Sequence, residues 1–472
     1  MNASVFDTDP RSTTVRETRI AMTTIHAAQA LTPQGWRRNV RLQVRTGRIA
    51  AIQTEVAPQA GDDLHAVLVP AMANLHSHAF QRGMAGLAEL RGSSEDDFWS
   101  WREVMYRFAL SMTPEQVEAI AGQVYMEMLE AGFGRVGEFH YLHHHRDGRP
   151  YADPGEMAGR IAAAAQLTGI GLTLLPVFYA HSTFGGAAPS PSHRRFISTV
   201  DSYGRLLERC HALVQPLATA VVGVAPHSLR AVTPQELAEV TALAGTGPIH
   251  IHVAEQMKEV EDCLAWSGQR PVQWLLEHAA LDARWCLVHA THMEGTETAR
   301  LAATGAIAGL CPITEANLGD GTFDALDFIR CGGRFGIGTD SNVQVGVADE
   351  LRLLEYSQRL LHRARNVLGT PERSTGRVLL ERALPGGAMA LGAGFTGIAA
   401  DCPADFVSLD RQHPALACKR EDALLDAWIF SGGNAVVDCV WVAGEKVVSA
   451  GRHRRHDEIG QRFFRTMQQL CD

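Results

Sequence analysis

The 472-residue chain has no C-x-x-C pair among its nine cysteines, which stand at 210, 263, 286, 311, 331, 402, 418, 439 and 471. An odd, scattered set argues against a disulfide framework or a thiolate zinc site and suits a reducing compartment. No apolar run is long enough to span a bilayer: residues 169–180 and 221–225 are among the longest, and both are short or interrupted. The polar opening, MNASVFDTDPRSTTVRE, has no apolar signal core, so the expectation is a cytoplasmic protein. No cluster of basic residues forms a nucleic-acid or membrane footprint; the net charge is −9 and the pI near 6.2. Low-complexity tracts and short-period repeats are missing as well. What is abundant is ordinary globular material, 46% hydrophobic and 20% charged, enough for a sizeable core, together with 21 histidines, several at the ends of apolar runs.

Two rhythms divide the chain. Residues 1–17 are polar and read as a tail. Short strand-like runs at 20–27, 40–45 and 49–54 are separated by turn residues, and the same style returns at 404–409, 436–442 and 447–448. The two groups are expected to form one discontinuous β-sandwich domain, 18–68 plus 397–455, followed by a C-terminal helix within 456–472. Between them, eight apolar runs alternate with helical patterns: 66–70 leading to Asn74-Leu75-His76, then 135–141, 171–179, 221–226, 248–253, 285–289, 306–310 and 334–338. Helices are expected at 114–130, 154–168, 192–213, 234–244, 271–278, 295–304 and 348–368. Eight strands with intervening helices predict an α/β fold, a distorted (β/α)8 TIM-type barrel over 69–396, whose site gathers at the C-terminal strand ends.

Those strand ends carry the chemistry. The first delivers His76-Ser77-His78, whose imidazoles project to one side because side chains alternate along an extended chain. H-x-H alone is a weak signal. The fifth run, His250-Ile-His252-Val-Ala-Glu255, places His252 at the mouth and leaves His250 to the packed interior. The sixth ends at His289 and the eighth at Asp340. Asp340 can be an ordinary helix cap, but an apolar strand bringing a carboxylate to the mouth is costly unless the charge meets a cation. Taken jointly, His76, His78, His252 and Asp340 suit one zinc, iron(II) or similar divalent ion with a position left for water, and hydrolysis by a metal-activated hydroxide is the natural chemistry. Glu255 is either an exposed loop carboxylate or the proton shuttle that an amine leaving group needs.

These residues resemble the mononuclear deaminase branch of the amidohydrolase superfamily over about residues 69–342, with the terminal strands matching that superfamily's split β-sandwich. NLHSHAFQRGMAGLAE, FWSWREVMYRF, EFHYLHH, HSLRAVTPQ, HIHVAEQ, LVHATH and TEANLGDG together resemble the formimidoylglutamate deiminases of bacterial histidine degradation. The resemblance implies hydrolysis of N-formimidoyl-L-glutamate to N-formyl-L-glutamate and ammonia, one divalent metal per chain (zinc, with iron(II) as the other option), a homodimer, and no nucleic-acid or membrane partner. It makes Glu255, His289 and Asp340 catalytic and carries substrate contact onto Gln81, Arg102, Tyr141, His227 and Arg230. The residues themselves agree, since a dicarboxylate needs cationic forks at the mouth, although each arginine alone reads equally well as a solvated charge. Arg102 lies in the aromatic segment 98–102, and the stretch 91–108 is suited to a lid; Arg82 reads as structural and the run 143–145 as solvent-facing. Asn342 stands where a histidine is expected in the family, and Pro312-Ile313 is unusual. Two rival readings remain: a superfamily deaminase of a purine, pyrimidine or triazine ring, and a non-catalytic metal-stabilised barrel.

Overall fold

The computed structural model describes residues 22–90, 98–394 and 397–471; the expected tail, 1–17, lies outside them. The first three strands, Thr23–Thr32, Gly35–Arg45 and Arg48–Gln53, form an antiparallel meander. Its second turn, Thr46-Gly47, has φ of 49° and 76°, the two left-handed residues that a tight hairpin matching the strand twist requires. Asp63–Pro70 then pairs in parallel with the first strand. From the other end of the chain, Phe406–Leu409 pairs antiparallel with Asp63–Pro70, Phe406 opposite Pro70, and Val437–Val442, Glu445–Ser449 and Arg452–His453 follow outward. Both termini therefore build one eight-stranded sheet. Its own core joins Ile25, Ala27, Val40, Leu42, Leu68, Phe406 and Trp441.

The barrel strands are Met72–Ser77, Phe133–His140, Gly171–Phe178, a broken fourth strand Val221–Val222 plus Ala225–Pro226, Ile249–Val253, Trp285–His289, Ile307–Leu310 and Arg334–Ile337. All neighbouring pairs are parallel. Bridges Val224–Ile249 and Ser228–His252 join the fourth strand to the fifth, and Ser77–Asp340 closes the eighth onto the first. Almost every residue in these strands is buried, which is why they read as continuous apolar runs. Residues 66–70, read from sequence as the lead into the first barrel strand, belong to the terminal sheet; the barrel begins two residues later, at Met72.

Thr113, Thr199 and Thr233 each open a helix with a reciprocal capping box, beginning Pro114–Glu130, Val200–Val214 and Pro234–Ala242. The cap at Thr199 starts its helix eight residues later than the periodicity suggests. The helix expected to run to 368 ends at His362, where Arg363 turns left-handed. Phe98–Ser111, Met257–Ser267, Pro312–Leu318, Ala325–Arg330 and Thr375–Ala390 are helices the alternation of runs does not disclose. The last of these packs on the barrel's N-terminal end, where the Ala390 carbonyl accepts His250 Nε2 at 2.7 Å. His250 is thus an interior residue. The C-terminal helix is His456–Cys471. No helix among the described residues is long and apolar enough to cross a membrane.

Candidate metal centre and adjoining cavity

At the C-terminal mouth, His76, His78, His252 and Asp340 are all buried, and their donor atoms lie within 4.8 Å of one another. His76 Nε2 is 3.2 Å from His78 Nε2 and 3.1 Å from His252 Nε2. Asp340 Oδ1 is 3.4 Å from His76 Nε2 and 3.2 Å from His78 Nε2. The far nitrogens explain the orientation. His78 Nδ1 donates to the Phe139 carbonyl at 2.9 Å and His252 Nδ1 to the His227 carbonyl at 3.0 Å, so each ring turns its Nε2 inward. Converging lone pairs repel unless a cation lies among them. Burial, only partly opposed by the Asp340 hydrogen bond, pushes His76 down to about 3, and burial with its imidazole neighbours holds His252 well below the ordinary histidine value. Burial also works against the Asp340 carboxylate, yet His76 and His78 outweigh it and keep the group well below the usual range. Three imidazoles and one carboxylate fit a borderline divalent ion.

The approach of the eighth strand to the first depends on glycine: a Cβ on Gly338 would stand 2.8 Å from the backbone of His76. The His76 carbonyl then accepts the N–H of both Thr339 and Asp340, at 3.1 and 3.0 Å. Asp340 and Asn342 both have positive φ, 44° and 56°. Asn342 stabilises this turn by donating to Ser77 Oγ, the His78 carbonyl and the Asp340 carbonyl at 3.0–3.2 Å, while accepting from Thr339 Oγ1 at 2.6 Å. An amide serves as a three-way brace where the family pattern suggests a histidine.

Beside the cluster, His289 Nε2 is 3.6 Å from Glu255 and 3.8 Å from Asp340, and its Nδ1 faces Glu315 at 3.3 Å. Burial opposes a charged ring, but Glu255, Glu315 and Asp340 prevail and hold His289 up to about 10. Glu255 is buried, not an exposed loop residue, and that burial raises its carboxyl. Glu259 pins the turn carrying it, accepting the N–H of Ala254 and Glu255 at 3.2 and 3.3 Å. The site therefore sets an imidazole whose charged form is favoured beside a carboxyl whose charged form burial disfavours.

Gln81, Arg102, Tyr141, His227 and Arg230 all line one cavity with His78, His252, Glu255 and Asp340. Gln81 donates to Tyr141 Oη at 3.0 Å. Arg102, on Phe98–Ser111, donates to Tyr179 Oη at 2.9 Å and lies over the Tyr106 ring. Arg230, only 6% exposed, is 4.0 Å from Glu259. Of the stretch suited to a lid, Arg91–Asp97 lies outside the described residues. Arg82 is structural, bonded to the Asn342 and Val343 carbonyls and paired with Glu127 at 2.7 Å. The run 143–145 is only partly solvent-facing: His145 is exposed, whereas His143 is buried and bonded to the Val177 carbonyl at 2.8 Å.

Sequence reasoning missed five cavity residues, Met105, Tyr106, Tyr179, Phe196 and Leu318, and the braces His193 and Glu315. Tyr106 was accessible, since it follows Arg102 by four residues on one helix face, and Tyr179 ends the third apolar run. His193, bonded to Tyr106 Oη at 3.1 Å, and Glu315 come from loop and short-helix positions with no periodic signal.

Residues 67–447 match the Amidohydrolase family, and residues 22–66 match the N-terminal domain of formimidoylglutamate deiminase HutF. The chain is similar to the formimidoylglutamate deiminase of Pseudomonas aeruginosa, 50% identical over 454 residues, covering 96% of this chain and 100% of that protein. Among solved structures, an amidohydrolase from Brucella melitensis is 59% identical with a TM-score of 0.93, covering 95% of this chain and 100% of that one. An adenosine deaminase from Xanthomonas campestris, solved with bound zinc, shares the fold at a TM-score of 0.79 and 22% identity, covering 95% and 98% of the two chains.

Proposed function

Because the chain belongs to the amidohydrolase family and, within it, to the formimidoylglutamate deiminases, we propose that the cavity between the metal cluster and the two arginines is where N-formimidoyl-L-glutamate is hydrolysed to N-formyl-L-glutamate and ammonia. The enzyme is a hydrolase of histidine degradation with a buried His/His/His/Asp metal site. A divalent ion held by His76, His78, His252 and Asp340, zinc in our reading with iron(II) as the alternative, supplies Lewis acidity and makes water a nucleophile near neutral pH.

The protein's own groups do the rest. Arg102 and Arg230 hold the two carboxylates, with Gln81, Tyr141 and His227 completing the wall. Asp340 takes the proton of the attacking water as its oxygen bonds to the formimidoyl carbon. Glu255 carries that proton to the terminal nitrogen, and His289 stabilises the charge that develops on the tetrahedral carbon's substituents. The proton of the newly formed hydroxyl then passes through Asp340 and Glu255 to the same nitrogen, the carbon–nitrogen bond breaks as the carbonyl forms, and ammonia leaves with the water oxygen kept as the formyl oxygen. The observation that carries this assignment is that two arginines and three members of the metal cluster, His78, His252 and Asp340, line one cavity. A ring deaminase would use the aromatic wall but leave both guanidinium groups without an anionic substrate partner.

The test is ammonia release from N-formimidoyl-L-glutamate beside guanine, cytosine and N-formimidoylglycine, with metal counted in the same sample. Turnover of the glutamate compound with about one ion per chain is expected; turnover of a ring substrate in its place overturns the roles of Arg102 and Arg230. We further propose a cytoplasmic homodimer, on the family resemblance alone; a single-protomer mass in sedimentation would refute the dimer.

A further inference from the structure

A second group of metal-capable atoms adjoins the first. Glu255, His289 and Asp320 each offer one donor atom, all within 4.8 Å of one another, and all three side chains are buried. Two of those side chains carry a buried atom without a hydrogen-bond partner among the described residues, His289 Nε2 and Asp320 Oδ2. Asp320 is held firmly. Its N–H donates to the Glu315 carbonyl at 2.9 Å, its own carbonyl accepts His292 Nε2 at 2.7 Å, and its Oδ1 takes the Gln256 amide. The remaining oxygen is fixed in place, 3% exposed as part of the residue.

Charge in this corner is out of balance. Four carboxyls, of Glu255, Glu315, Asp320 and Asp340, act on the single imidazole of His289. Arg230 and Arg102 act on Glu255 from the cavity side, but Arg230 also faces Glu259 and Arg102 bonds Tyr179. Carboxyls crowded around one buried imidazole make a negative, desolvated corner. A divalent cation accepting the two unpartnered atoms, His289 Nε2 and Asp320 Oδ2, satisfies it.

We propose that Glu255, His289 and Asp320 form a second binding site for a borderline divalent cation such as zinc or manganese, separate from the His76/His78/His252/Asp340 cluster, and that its occupation stops turnover. Two carboxylates and an imidazole suit such ions. The inhibitory effect rests on the roles proposed above, because an ion there captures Glu255 and His289, the groups that handle the proton and the developing charge.

The experiment begins with enzyme holding one ion per chain. It is dialysed against rising zinc, with bound metal counted by atomic emission and rate measured in parallel. A second ion is expected to enter as the rate falls. Asp320→Asn is expected to keep the first ion and to weaken uptake of the second about tenfold or more. A second ion that never enters, or enters Asp320→Asn as readily as the parent, overturns the site. Should the variant fail to fold, manganese in both positions of the unaltered enzyme decides: a spin-coupled paramagnetic resonance signal supports adjacent ions, and two uncoupled ions overturn it. Uptake that depends on Asp320 while the rate stays undiminished keeps the site and refutes the roles of Glu255 and His289.

Discussion

Replacing Arg230 by methionine removes a guanidinium from the cavity while retaining most of its apolar stem. The residue is 6% exposed, so a substrate carboxylate bound against it is largely withdrawn from water. Losing one partner of such a buried, hydrogen-bonded pair costs about 2–5 kcal/mol. Arg102 lines the same cavity and shares the anionic load, which places the expected loss at the lower end, about 2–3 kcal/mol. That is a fall of about 30- to 150-fold in kcat/KM for N-formimidoyl-L-glutamate. Folding should suffer little, because Glu259, 4.0 Å from Arg230, keeps the backbone N–H groups of Ala254 and Glu255 as partners. The assay compares Arg230→Met and Arg102→Met on the glutamate compound and on N-formimidoylglycine, which has one carboxylate. The arginine that binds the shared carboxylate should penalise both substrates when removed; the other should penalise only the glutamate compound. Unchanged kcat/KM for the glutamate compound in either variant, with protein folded and metal retained, would refute the dicarboxylate reading of that arginine.

Glu255→Gln should keep its metal and lose about 100- to 10,000-fold in kcat; proportional loss of metal and rate would show a structural role instead. Asn342→Ala removes the amide that donates to Ser77, His78 and Asp340, so metal affinity should fall about 10- to 100-fold by competitive chelation. Unaltered affinity would mean that the turn holds itself. In the terminal sheet, the His65 ring 3.7 Å away, together with the Ser408 hydroxyl that donates at 2.9 Å, lowers Asp438 to about 2, against 3.8 ordinarily. A depressed carboxyl contributes stability above its unfolded value that is lost as pH falls through the folded one. The urea midpoint difference between the parent and Asp438→Asn should therefore be full above about pH 4 and shrink toward pH 2; a pH-independent difference would contradict the linkage.

Why the metal ligands were legible and their supports were not follows from where each resides. His76, His78, His252, His289 and Asp340 sit on or just beyond strands whose two buried faces produce unbroken apolar runs, so a polar residue at the run's end stands out. The TIM-type barrel then brings these ends together whatever their separation in sequence. Residues 66–70 misled because an apolar run says nothing about which sheet receives it; pairing with Phe406–Leu409, more than 300 residues away, is a tertiary event. Glu315 on the short helix Pro312–Leu318 and Asp320 just after it lie where no hydrophobic period marks the inward face. Their roles emerge only from distance to His289 and Glu255.

The geometry also separates what the reaction needs from what the substrate needs. The imidazole cluster is oriented by backbone carbonyls of Phe139 and His227 and by the Asn342 turn, all parts of the barrel frame. The arginines depend on other supports: Arg102 rides on a helix inserted after the first strand, and Arg230 follows the broken fourth strand and faces Glu259 on the helix after the fifth. Substrate preference can therefore change through the Phe98–Ser111 helix and the fourth loop without disturbing a single metal ligand. An Arg102→Met, Arg230→Met double variant should accordingly retain its ion and its fold while losing discrimination between N-formimidoyl-L-glutamate and an uncharged N-alkylformamidine. Loss of metal in that variant would show that the two layers are coupled, and retained discrimination would assign carboxylate recognition to Gln81, Tyr141 and His227.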